Sequence, residues 1–154
     1  MKSSDIKGLP VEPVGPGRQA HISDLILDIE QRNVLALQLD WSGVDVPYAV
    51  AVGDVQNVTD SGVLLAPQAT ILPLADLPQF MPNPTLNRLL GENVLSESGQ
   101  VLGTLQDVEI DLESWTISAY SVLRNVTAAL EQGLDDFPAA RVLTGAESLT
   151  IRGS

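Results

Sequence analysis

Asp107, Glu109, Asp111 and Glu113 stand at alternate positions, and oxygen ligands at that spacing are the first candidate for chemistry in this chain. Ca²⁺ and Mg²⁺ are held by carboxylate and carbonyl oxygens, so an acidic run invites the test. An EF-hand loop beginning at Asp107 would need Gly at position 112 and Glu at position 118, where Leu112 and Ser118 stand. In an extended strand, side chains two apart line up along one face and do not wrap around an ion. The run therefore reads as a solvated strand face, and no metal site is expected. Asp24 and Asp28 repeat as Asp107 and Asp111, which points to turn and hairpin hydrogen bonding.

The other candidates are isolated. His21 is the single histidine, and with no cysteine in the chain it has no second metal-ligating ring or thiolate to work with. Its counterpart in the second half is Thr104, so an edge or surface position is expected. Gly15-Pro16-Gly17 is a turn and not a phosphate loop. No catalytic residues and no cofactor are expected. Trp115 differs: it falls in the loop of a predicted hairpin, aligned with Arg32, and an aromatic side chain there could anchor a partner. Folding back over the linker or an inserted helix is its alternative.

These residues sit in a cassette that occurs twice. Residues 24–30 (DLILDIE) return as residues 107–113 (DVEIDLE) at an offset of 83, and the same offset places Gly8 on Gly91, Val11 on Val94 and Ala36 on Ala119. Such self-similarity sets the architecture before any single element is assigned. Val108, Ile110 and Leu112 alternate with the acids, the period-two mark of a half-buried strand. Ile22 and Leu105 fall on the opposite parity at the same place in both copies, which predicts a β-bulge. After a polar loop, Val34 to Leu39 and Ile117 to Leu123 supply the second strand of a hairpin. Strands at 46–52, 55–59 and 63–65 follow in the first copy, joined by the Asp60-Ser61-Gly62 turn. That density of short strands predicts a small closed or partly closed barrel. In the second copy, residues 124–133 read as a short amphipathic helical insert.

Between the copies the texture changes: Pro67, Pro73, Pro78, Pro82 and Pro84 crowd residues 66–88. This predicts a semi-rigid linker with at most an edge strand near 69–74, its apolar residues packed along the domains. The organisation is thus a first repeat over 1–66, a proline-rich linker over 67–87 and a second repeat over 88–154.

With 20 acidic and 8 basic residues the chain carries a formal charge of −12, which repels phosphate backbones and anionic lipid. The basic residues never cluster, so direct nucleic-acid binding is not expected. Hydrophobic residues make up 44% and aromatics only 4%, as for a folded aliphatic core. No apolar run is long enough for a membrane span, and no signal peptide is read at the start, so a cytoplasmic location is expected.

The run Gly91-x-x-Val94, Gly99, Gly103-x-x-x-Asp107-Val108-x-Ile110-Asp111, followed by an apolar strand and a Pro-led closing hairpin, resembles the PRC-barrel domain family. The resemblance covers both repeats; the first departs from it at Ala20, where Gly103 stands in the second. It implies an all-β protein of two small β-barrels in tandem, related by internal pseudo-symmetry. Relatives include the cytoplasmic part of the photosynthetic reaction-centre H subunit and the C-terminal domain of a ribosome-maturation factor. The family supplies no catalytic residues. What it implies is a non-catalytic assembly or protein-interaction module with a protein partner. The alternatives are a ribosome-assembly factor that grips a ribosomal protein, and a peripheral factor of a membrane electron-transfer complex.

Overall fold

The computed structural model describes residues 1–13, 19–41, 44–80, 83–124, 134–138, 142–144 and 149–151. Among these residues there are two one-turn α-helices and thirteen strands, and all of them but one strand in the linker follow one plan twice. In the first half, α1 (Ser3–Ile6) leads into β1 (Pro10–Glu12), the long hairpin β2 (Ala20–Asp28) and β3 (Asn33–Trp41), then β4 (Tyr48–Ala51), β5 (Val55–Thr59) and β6 (Gly62–Leu65). A two-residue strand, β7 (Leu72–Pro73), lies in the linker. The second half repeats the order with α2 (Leu86–Leu89), β8 (Asn93–Ser96), β9 (Val101–Asp111), β10 (Thr116–Arg124), β11 (Leu134–Pro138), β12 (Val142–Thr144) and β13 (Leu149–Ile151).

The pairing is the same on both sides. β1 and β8 each lie antiparallel to the next strand and parallel to the last strand of their repeat, β6 or β13. Each half is therefore an all-β, barrel-type sheet, and among the described residues it is left open, without a hydrogen-bonded seam. The predicted bulge is present in both hairpins. Ile22 pairs with Leu39 but Asp24 with Gln38, leaving Ser23 extra; Leu105 pairs with Val122 but Asp107 with Ser121, leaving Gln106 extra. An extra residue flips the face of everything after it, which explains the parity change in the sequence. The helical insert expected in the second repeat lies outside the described residues; Arg124 itself ends β10.

One aliphatic core runs through both halves, from Ile22, Leu37 and Val50 to Val94, Val108 and Val122. A second, smaller cluster lies on the outer face of the first repeat. There Ile26, Ala36 and Ala49 are covered by Leu74, Leu77 and Phe80 of the linker. The linker is tied down by β7, which pairs with β4, and by the Leu74 amide donating to the Pro47 carbonyl at 2.9 Å. In the second repeat the register places Glu109, Ala119 and Asp136 where Ile26, Ala36 and Ala49 stand. The same face is thus apolar where the linker covers it and acidic on the other copy, as the cost of burying a carboxylate requires.

The opening stretch begins with the one-turn helix α1, and α2 has the same form. A single turn is not stable by itself. Both are held by groups from the opposite repeat. Each is followed by a glycine in the left-handed region, Gly8 (φ 89°) and Gly91 (φ 84°), which turns the chain into β1 or β8.

Candidate functional site

The two repeats meet through contacts that come in pairs related by the 83-residue offset. At the hairpin tips, the Val34 amide donates to the Trp115 carbonyl at 2.8 Å and the Ile117 amide to the Arg32 carbonyl at 2.7 Å, around the Asn33–Thr116 pair. Trp115 and Arg32 have the same left-handed φ, 53° and 58°. A type of contact that returns with its partners exchanged is the mark of an isologous interface, built here within one chain.

The second pair of contacts exchanges the segments ahead of β1 and β8. The Ile110 amide donates to the Met1 carbonyl at 2.8 Å, and the Leu27 amide to the Pro84 carbonyl at 2.9 Å. Lys2 bridges Glu109 and Thr85 bridges Ile26, both antiparallel. Each repeat thus lays its leading segment along the cassette strand of the other. The reason is an open edge: β1 pairs with β2 only at Ala20 and His21, and β8 with β9 only over Val101–Thr104. The rest of each cassette strand needs another partner for its amides.

Asp24 and Asp107 sit where those segments turn into helix. Asp24 is buried and accepts the Leu25 amide at 2.8 Å and the Asn87 amide, at the start of α2, at 2.9 Å. Asp107 accepts the Val108 amide at 2.8 Å and the Ser4 amide at 3.1 Å, together with the hydroxyls of Ser3 and Ser4. Partial burial alone would raise the Asp107 pKa, but the hydroxyls of Ser3 and Ser4 and the amides of Val108 and Ser4 outweigh it, holding the carboxyl below its ordinary value. These two aspartates therefore act as side-chain caps delivered in trans. Asp28 and Asp111 take the hairpin role expected of them, accepting the Gln31 amide at 3.0 Å and the Glu113 amide at 3.0 Å.

The acidic run is divided accordingly. Asp107 is engaged, Glu109 accepts from the Met1 ammonium at 3.2 Å, and Asp111 and Glu113 are exposed at the hairpin tip. Among the described residues, no three His, Asp or Glu side chains converge as metal ligands would. His21 is exposed on β2 opposite Asp40. Trp115 is half-buried, its ring packed against the core and its carbonyl taken by Val34, so it sits at the junction of the repeats. The sequence placed it correctly in a hairpin loop; that a second hairpin meets it there was beyond local reading.

Two open depressions accompany this frame. One of about 330 Å³ is lined by Pro10, Glu12, Asn57, Thr59, Gly62 and Leu64. The other, about 280 Å³, is lined by Ser23, Gln38, Asp40, Asp45, Val46 and Pro47. Among the described residues, no helix is long and apolar enough to cross a membrane.

No family model and no curated protein matches this chain. Among solved structures, a protein described as 16S ribosomal RNA processing protein RimM from Pseudomonas aeruginosa aligns over 97% of this chain and 96% of that one. The identity is 13% and the TM-score 0.31.

Proposed function

We propose that the chain is a non-catalytic interaction module that docks a basic protein partner through its acidic, doubled β frame. The observation that carries this reading is the meeting of the two hairpin tips. The Asn33–Thr116 pair sets one acidic turn beside the other, so that Asp28 and Glu30 lie across from Asp111 and Glu113. Glu30, Asp111 and Glu113 are exposed, and half-buried Trp115 stands in the second of the two turns. A surface with an aromatic centre and a charged rim is the composition of many recognition sites. Charge of one sign also steers a partner of the other.

The test is affinity capture with the intact chain, eluted along a salt gradient, beside the triple variant Glu30→Gln, Asp111→Asn, Glu113→Gln. A basic protein should be retained at low salt, released at high salt and retained at least tenfold less by the triple variant. Equal retention by both proteins counts against the reading. The resemblance to PRC-barrel domains supports one partner class within it, a basic ribosomal protein. Co-sedimentation with ribosomal subunits at low but not high salt tests that class.

A further inference from the structure

We propose that the edge of β9 over residues 107–111 is a docking site for a partner segment that pairs with the strand at one basic residue and enters a helical turn at one or two hydroxyl residues, the form in which residues 1–4 of the chain itself occupy it in this structure. The inference rests on the basic-partner reading above and gives it a location and a mode of binding.

Three observations carry it. First, the edge is open within its own repeat: β8 stops pairing at Thr104, and beyond it the Ile110 amide is satisfied by the Met1 carbonyl. Binding of this type is made by main chain and so tolerates many sequences. Second, that tolerance is on display. The equivalent edge of β2 holds Pro84–Asn87 in the same register, although Thr85, Leu86 and Asn87 share no side chain with Lys2, Ser3 and Ser4. Third, the two edges differ in how firmly they are filled. Ile26, on the β2 edge, is sealed under Leu74, Leu77 and Phe80. Its counterpart on β9 is Glu109, whose side chain remains 42% exposed.

The β9 edge is thus the one secured by polar contacts, and its lining selects the occupant. Asp107 takes hydroxyl and amide donors from Ser3 and Ser4, and Glu109 lies opposite Lys2. A partner segment with a basic residue followed by one or two hydroxyl residues reproduces every one of these contacts. It enters when residues 1–4 lift away, and carboxylates on β9 favour it over a neutral strand.

Lys2 and Glu109 face each other across the bridge, and the chain has no cysteine, so the Lys2→Cys, Glu109→Cys variant can lock the site by a disulfide in the intact protein. The probe is a fluorescent synthetic peptide of residues 1–9, MKSSDIKGL, with polylysine as a second probe for the acidic surface. Reduced protein should bind the peptide at least tenfold better than oxidised protein, and Ser3→Ala, Ser4→Ala in the otherwise native chain should raise peptide binding over the unaltered protein. Equal peptide binding in the two redox states overturns the proposal. Salt-sensitive polylysine binding that persists in both states, and falls in the Glu30, Asp111 and Glu113 triple variant, identifies that failure as one of this edge alone. Loss of polylysine binding as well points to failure of the basic-partner reading.

Discussion

Tyr120 carries a hydroxyl that is fully buried and finds no hydrogen-bond partner among the described residues, and burial pushes its ionisation well above the ordinary phenol range. An unsatisfied buried donor costs about 1–3 kcal/mol. Tyr120→Phe removes that cost at nearly constant volume, so the variant should match or exceed the native protein in denaturant midpoint, with an unchanged slope. Asp107 behaves in the opposite sense. Its folded-state pKa lies below the ordinary 3.8, so its contribution is in full force above the unfolded value and is lost as pH falls through the folded one. The protection of the Val108 and Ile110 amides against hydrogen exchange, corrected for the intrinsic rate at each pH, should therefore fall as the medium is acidified below the ordinary carboxylate range. Asp107→Asn should show faster exchange already at neutral pH and a flatter acid profile. That Asp107 and Asp24 repeat was evident from the sequence. Their donors were not, because Ser4 and Asn87 lie 103 and 63 residues away and no local pattern points to them.

At the level of elements, the hairpins and their bulges were legible because a period of two and its interruption are local signals. The single-turn helices were not: four residues are too few to show a helical period, and what stabilises them comes from the other repeat. The residues 125–133, where the sequence predicts a helical insert, are not among those described. The glycines of the recognised pattern acquire individual reasons here. A Cβ at Gly103 would stand 2.0 Å from the Leu123 carbonyl oxygen, closer than any side chain can sit. Gly103→Ala must push β9 and β10 apart and is expected to cost about 1–3 kcal/mol, read from chemical denaturation. The reciprocal change Ala20→Gly, on the strand of the first repeat that already accommodates a methyl group, should cost no more than about 1 kcal/mol through backbone entropy.

The whole molecule is a pseudo-two-fold pair made from one chain, in which neither half finishes its own sheet edge. Because a single core cluster includes residues of both repeats, and each leading segment lies on the opposite repeat, the halves should not melt separately. Calorimetry should show one transition whose calorimetric and van't Hoff enthalpies agree. Leu39→Ala in the first repeat and Val122→Ala in the second should each move that one transition without splitting it, by about 2–5 kcal/mol for the leucine and less for the valine. Two resolved transitions would show that the repeats are independent. The doubling was plain in the sequence because the offset is constant over thirty residues. The exchange of segments was not, since a repeat pattern is the same whether each copy folds on itself or on its twin.

That exchange sets an order on synthesis. A nascent chain that has emerged only as far as Leu65 already contains every strand from β1 to β6, yet Ile26, Ala36 and Ala49 have no cover and Asp24 lacks the Asn87 amide it will accept. The first hairpin must wait, greasy side out, for some twenty more residues to leave the ribosome, about one to four seconds at ordinary elongation rates. Residues 1–4 wait longer still, since β9, the strand that receives them, follows α2 in the chain. The two repeats are therefore fastened to each other in sequence, α2 onto β2 first and residues 1–4 onto β9 afterwards.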